Sequence, residues 1–151
     1  MQRTKYKQGI FKPTNRNKCK TASPCYRSSW EFKMMCYLDK SPNIIEWKSE
    51  AQVVYYQDVT RKTPMGLPTT HRYFIDFQAV AIDRDGKRSL LWIEIKPESQ
   101  SHPPVKGRKS DKTFLNETIT WKRNESKWAA ATAAAKQKGA RFVVLTERSL
   151  G

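Results

Sequence analysis

Long apolar runs are missing from this chain. No stretch approaches the ~20 residues that a helix needs to cross a bilayer, which excludes a helical membrane protein. The opening residues, Met1 to Tyr6, have no apolar stretch behind their charges, so no secretory signal is expected and a cytoplasmic location is. Cysteine is scarce: Cys19, Cys25 and Cys36 form no Cys-x-x-Cys pair, and with His71 their spacing fits no common zinc template. Reduced, unpaired thiols are the expectation. Acidic residues are also few, 14 against 29 Lys and Arg, and none precedes Glu31.

What remains is strongly basic. The chain carries a net charge of +15 over 151 residues, a length suited to one domain. Such a balance favours a polyanionic partner, and nucleic acid above an anionic membrane, because no basic amphipathic helix is evident. Arg3, Lys5, Lys7, Lys12, Arg16, Lys18, Lys20 and Arg27 crowd the first 27 residues, which read as a basic arm before a domain at 28–151. Tyr6, Phe11 and Tyr26 in that arm have rings able either to pack on the domain or to stack on bases. Five Trp, six Tyr and six Phe exclude a disordered polymer.

Ser28, with Glu31 three residues on, has the pattern of a capping box. Trp30, Met34, Tyr37 and Leu38 then form one apolar stripe of a helix that stops before Ser41-Pro42. Glu50 to Tyr56 reads as a strand, Arg61 to Thr70 as a loop, and His71 to Ile82 and Ser89 to Lys96 as two more strands. Asp83-Arg84-Asp85-Gly86-Lys87 joins those two as a hairpin. With Gly86 left-handed at the end of a three-residue loop, paired positions sum to 170, which sets Asp76 opposite Glu94. A one-residue slip would oppose Asp76 to Ile95 and break the shared face.

Pro97 to Thr113 is a basic, proline-rich loop whose Lys106, Arg108 and Lys109 are candidate DNA contacts beside Arg27. A helix is expected from Asn124 as its cap, with an earlier start left open, and it stops at Gly139 behind Lys136 and Lys138. Arg141 to Thr146 is a last strand, free to run parallel because a helix precedes it. The order helix, three strands, helix, strand predicts an α/β domain with a mixed central sheet flanked by helices.

Strand alternation in Leu91 to Lys96 puts Glu94 and Lys96 on one face, with Asp76 across the ladder. Two carboxylates at that separation suit Mg²⁺, which keeps several waters, and the Ile95 backbone carbonyl is a candidate third ligand. Lys96 is placed to orient a metal-bound water or relieve it of a proton. The bland readings are concrete. Glu-x-Lys on a strand is commonly a solvated face, Asp76 is accounted for by an ion pair with Lys96, and helix capping accounts for Glu31.

Asp76, seventeen intervening residues and then Glu94-Ile95-Lys96, after a helix carrying Glu31, resembles the PD-(D/E)XK nuclease superfamily. The blocks Tyr26 to Glu31, Asn43 to Trp47, Arg72 to Phe77, Ile93 to Pro97, Lys127-Trp128 and Leu145 to Glu147 look like the head-completion nucleases of tailed phages. More distantly they are similar to TnsA-like endonucleases. Ile75 stands where the superfamily motif has Pro. The resemblance covers roughly Tyr26 to Leu150 and implies a restriction-endonuclease-like core. It implies Asp76 and Glu94 as Mg²⁺ ligands, with Mn²⁺ as a substitute, Lys96 as catalytic lysine and Glu31 as a further metal-site acid. It also implies DNA hydrolysis in phage head completion, in the host cytoplasm at the assembling head or portal. Asn124 and Lys127 match a recurring block, which places Lys127 near the scissile phosphate. Cutting both strands calls for a homodimer or sequential nicking. The alternative is a non-catalytic DNA-binding or head-assembly protein on the same fold.

Overall fold

The structure, a computed structural model, describes residues 8–149. Arg3, Lys5, Tyr6 and Lys7 of the expected arm lie outside that range. In chain order the elements are β1 (Gly9–Ile10), β2 (Cys25–Tyr26), α1 (Ser29–Lys40), β3 (Ile44–Ser49), β4 (Val53–Lys62) and β5 (Pro68–Phe74). They continue with β6 (Phe77–Ile82), β7 (Arg88–Ile95), a 3-10 turn (Glu98–Gln100), α2 (Asp111–Gln137) and β8 (Ala140–Leu145). The expected α/β class holds, with a mixed four-stranded sheet in the order β3-β6-β7-β8 and a separate two-stranded ribbon, β4-β5.

Hairpin chemistry organises the main sheet. Gly86 adopts φ 80, and Asp83 Oδ1 accepts the N–H groups of Asp85 and Lys87 at 2.9 and 2.8 Å. β6 and β7 then pair antiparallel from Phe77↔Ile93 to Ile82↔Arg88, the register that sums to 170. β8 adds in parallel beside β7, as expected after a crossover helix.

Several sequence expectations change, among them the Glu50–Tyr56 strand, which runs from Val53 to Lys62, and the Arg61–Thr70 loop, which shrinks to 63–67. Ile44–Ser49, for which the sequence suggests no element, is the edge strand β3; its Trp47 is fully buried against Phe77 and α1. The single strand expected over His71–Ile82 is two strands in different sheets. At Ile75–Asp76 the chain crosses from the ribbon to the main sheet, tied by Ile75 N–H to Gln52 O (3.0 Å) and Glu50 N–H to Asp76 O (2.9 Å). Finally, α2 starts at Asp111, capped by the Ser110 hydroxyl, so Asn124 sits mid-helix and caps nothing. The helix spans about 40 Å. Tertiary cover outweighs the weak propensity of Thr118-Ile119-Thr120, and Thr118 returns its hydroxyl to Phe114 O.

The two faces of the sheet have separate cores. Ile93, Ile95, Phe77, Ala79 and Trp47 pack with Met34, Met35 and Leu38 of α1. Trp92 packs on the other side with Val54, Tyr56, Tyr73 and the buried Ala131 and Ala135 of α2. Alanine lets that helix lie close to the ribbon. Tyr37, expected in the α1 stripe, is 52% exposed; Met35 and Asp39 are buried instead. Asp39 tolerates burial because it accepts from the Thr14 and Asn15 N–H groups at 2.9 and 3.0 Å.

Those last contacts move the expected arm boundary. Arg27 is not where packing begins: Phe11 and Cys19 are buried in the α1 core, and Trp47 exchanges backbone hydrogen bonds with Lys18 and Lys20. Phe11 packs edge-on to Trp47 at 5.9 Å and Tyr26 to Phe32 at 4.9 Å, so both rings serve the fold rather than stack on bases. Lys18 Nζ donates to the Asp39 and Ser41 carbonyls at the end of α1. The three cysteines are free.

Asp58 fastens α2 to the ribbon. Its carboxylate, fully buried, accepts from the Thr60 N–H (2.8 Å) and Arg61 Nε (2.6 Å), and lies 3.0 Å from Arg123 Nε of α2. Burial pushes the Asp58 carboxyl up, but the hydrogen bonds from Thr60 and Arg61 and the Arg123 charge overcome it and hold the carboxyl at about 2, below its ordinary 3.8. A depressed acid stabilises the fold fully above its unfolded value and loses that contribution as pH falls through the folded one. Asp58→Ala is expected to cost about 2–3 kcal/mol in urea unfolding at neutral pH, discounted for the partly exposed arginines, and the difference from wild type should vanish toward pH 2. A neutral substitution would remove Asp58 as the clamp.

Candidate active site

β7 is buried on both faces, so its alternation decides which side chains meet the α2 layer. Ile93 and Ile95 enter the α1 core, while Trp92, and by parity Glu94, face the ribbon and α2. Extending the β6–β7 register by one residue sets Asp76 opposite Glu94, as the hairpin predicts. Asp76 Oδ2 accepts the Ile95 N–H at 2.9 Å, which fixes the carboxylate through one of its two oxygens. Glu94 is 5% exposed; its Oε1 accepts from the Tyr73 hydroxyl at 2.5 Å, and its Oε2 lies 3.4 Å from Lys96 Nζ. The bland alternative of an Asp76–Lys96 ion pair is not what forms: Lys96 pairs with Glu94, whose strand face it shares.

Negative charge is crowded here. Burial, then Glu94 and Glu31, raise the Asp76 carboxyl well above the ordinary carboxylate range, with the Ile95 N–H and Lys96 opposing. Glu31 is raised too, first by burial and then against the pull of the Arg27 N–H, with Glu50 and Glu94 adding to the rise. Glu31 belongs to the start of α1, and its charge reaches Asp76. Its N–H meets Ser28 Oγ (3.1 Å), and its carboxylate accepts from the Arg27 N–H (3.2 Å). Tyr73, buried beside Glu94, is pushed up and stays a proton donor.

Lys127 approaches from α2. Its Nζ lies 5.5 Å from the Tyr73 ring centre and 5.8 Å from that of Tyr56, and its pKa is lowered by burial first and then by Lys96, with Glu94 opposing. The other basic candidates sit farther out on the chain's surface. Arg27 is exposed and paired with Glu50, Lys106 lies 3.3 Å from Asp111, and Lys109 lies 2.7 Å from Glu117. Among the described residues Arg108 forms no ion pair. Sequence reasoning missed Tyr73, whose strand parity was legible but whose ribbon meets Glu94 only in three dimensions. It also missed Glu50, which adopts φ 49 at the chain crossing and adds to the charge around Glu31.

Among the described residues, no three His, Cys, Asp or Glu side chains converge into a ready-made metal cage. The donors present are hard oxygens, two facing carboxylates with Glu31 nearby and Lys96 as the adjacent cation. That set fits a small divalent cation that retains most of its water. Without such an ion the cluster carries unrelieved repulsion, because an acid whose folded pKa is raised destabilises the fold above its ordinary value of 3.8. Asp76→Asn should therefore raise the melting temperature at pH 8 in EDTA by on the order of 5 °C, with a smaller gain at pH 5. A melt that falls at both pH values would contradict the crowding.

The sequence model of the TnsA-like endonuclease N-terminal domain matches residues 41–147. The chain is 38% identical over 130 residues to the head completion nuclease of Enterobacteria phage T4, covering 83% of this chain and 79% of that protein. The matched span holds Asp76, Glu94 and Lys96 on their shared strand ends, and the chain belongs to the TnsA-like endonuclease family.

Proposed function

We propose that this protein is a DNA endonuclease of phage head completion that hydrolyses phosphodiester bonds with a divalent cation, Mg²⁺ or Mn²⁺, held by Asp76 and Glu94. The observation that carries it is the convergence of Asp76, Glu94 and Lys96 at one end of β7 in a chain of this family. The Ile95 backbone carbonyl and Glu31 complete the donor set we assign to the ion. When bound, the ion lowers the pKa of a water and offsets charge building on the phosphate. The chain's own groups do the rest. Lys96 Nζ, beside Glu94, orients the attacking water and exchanges its proton. Tyr73 holds Glu94 in one rotamer through its hydroxyl.

Lys127, half-buried and held over two tyrosine rings, offers a fixed charge to the scissile phosphate. The net charge of +15 brings the polyanion to the surface through counterion release, with Arg27, Lys106, Arg108 and Lys109 as outer contacts. One cluster per chain makes one cut per visit, so severing a duplex takes a homodimer or two visits. The work is placed in the host cytoplasm, at the assembling head.

Plasmid and branched DNA incubated with Mg²⁺ or Mn²⁺ provide the test. Wild type should nick them, EDTA should stop it, and Asp76→Ala and Lys96→Ala should each lower the rate by at least about a hundredfold with DNA binding kept. Binding without any nicking by wild type would leave a DNA-binding protein and end the enzyme reading. Tyr73→Phe should lower the turnover rate about tenfold while the DNA dissociation constant stays put; an effect confined to binding would remove its positioning role.

A further inference from the structure

Beyond the acidic cluster, the loop that follows Lys96 and the first half of α2 border a cavity of about 340 Å³. Its loop wall carries Pro103 and Pro104, and its helix wall carries Trp121 and Asn124. The Glu98 N–H groups this loop to Glu147, at 2.7 and 3.0 Å from the two carboxylate oxygens, so the wall is anchored next to the end of β8. Asn124 is 3% exposed, and its Nδ2 is buried with no hydrogen-bond partner. A buried amide donor left unpaired in the middle of a helix is uncommon and points to a partner that the chain itself does not supply. Trp121 is held edge-on against Trp128 at 5.9 Å, which fixes the indole that faces the cavity.

The position of the cavity says what would enter it. Lys127 lies three residues from Asn124, one turn along α2, and it feels the charges of Lys96 and Glu94. Lys96 itself leads directly into the loop wall. The same loop carries Lys106, Arg108 and Lys109 at its exposed end, where phosphates would run. Proline and indole surfaces beside a free amide suit a flat heterocycle with donors and acceptors on its edge. The volume is within the range of small-ligand pockets and far too small for a duplex.

We propose that this cavity receives one unpaired base of the DNA strand, stacked on Trp121 and bound at its edge by the Asn124 amide. The enzyme thereby selects DNA that has an unpaired nucleotide beside the cut. This deepens the nuclease reading and rests on it. Base capture and cleavage are nevertheless separable, because the pocket is built from residues outside the acidic cluster.

The test uses the full-length protein in EDTA, so that no DNA is cut. The probes are a duplex containing one unpaired 2-aminopurine and the same duplex fully paired. Wild type should bind the first at least about tenfold more tightly and change its fluorescence by stacking. Asn116→Trp and Thr120→Trp alter exposed cavity-lining positions and fill the space, and Asn124→Leu removes the amide. Each should erase the preference while leaving affinity for the paired duplex within about twofold. Free 2-aminopurine deoxynucleotide should compete poorly. Equal binding of the two duplexes by wild type, an unchanged preference in the filled variants, or full competition by the free nucleotide would each overturn the proposal. If the base preference is present but Mg²⁺ brings no cleavage, it is the nuclease reading that fails.

Discussion

Asp76 and Glu94 repel one another, and the fold holds them face to face all the same. The backbone does the holding. Pairing of β6 with β7 leaves no freedom at the ends of the ladder, so the Ile95 N–H meets one oxygen of Asp76 and the Tyr73 hydroxyl meets one of Glu94. A buried pair of like charges is costly unless something offsets it, and Lys96 is the adjacent cation. The unrelieved remainder is what makes the spot suited to a divalent ion and to phosphate chemistry. Stability is given up locally where function is gained.

That arrangement depends on the chain leaving one sheet for another at Ile75–Asp76. Had His71–Ile82 continued as one strand, Tyr73 would share the sheet of Asp76 and could not approach Glu94 from the ribbon. Crossing instead stacks the ribbon over the α2 side of the sheet, where Val54, Tyr56, Tyr73 and Trp92 share a core with the alanines of α2. Asp58 and Arg123 lock the helix to that ribbon, and the same helix carries Lys127 toward the acids and Asn124 toward the neighbouring cavity. The α1 side of the sheet is dry packing, and Glu31 reaches over from its first turn.

Local chemistry was legible where it was local. Gly86 and Asp83 specify a turn, the turn specifies a register, and the register places Asp76 against Glu94 with no further information. Parity put Glu94 and Lys96 on one face, and the stop at Gly139 was plain. Errors came where burial overrode pattern. Ile44–Ser49 has too few alternations to announce a strand, yet its backbone is satisfied on one side by β6 and on the other by Lys18 and Lys20. Asn124 looked like a cap because Asn is a good one, but a helix already capped by Ser110 needs none there. Phe11 and Tyr26 lie in a stretch that reads as an arm, since nothing nearby in the sequence shows the surface they cover.

The sequence by itself determined the strongly basic character, the β6–β7 hairpin and the acid–acid–lysine set on its strand ends. These rest on net charge, on one left-handed glycine and on period-two alternation, all of which act within a few residues. Only the tertiary structure decided that the Tyr73 hydroxyl meets Glu94, that Lys127 approaches it from α2, and that the charge of Glu31 reaches Asp76. Those contacts join residues at least 21 positions apart, across sheet, ribbon and helix, and their partners are chosen by packing rather than by neighbours in the chain.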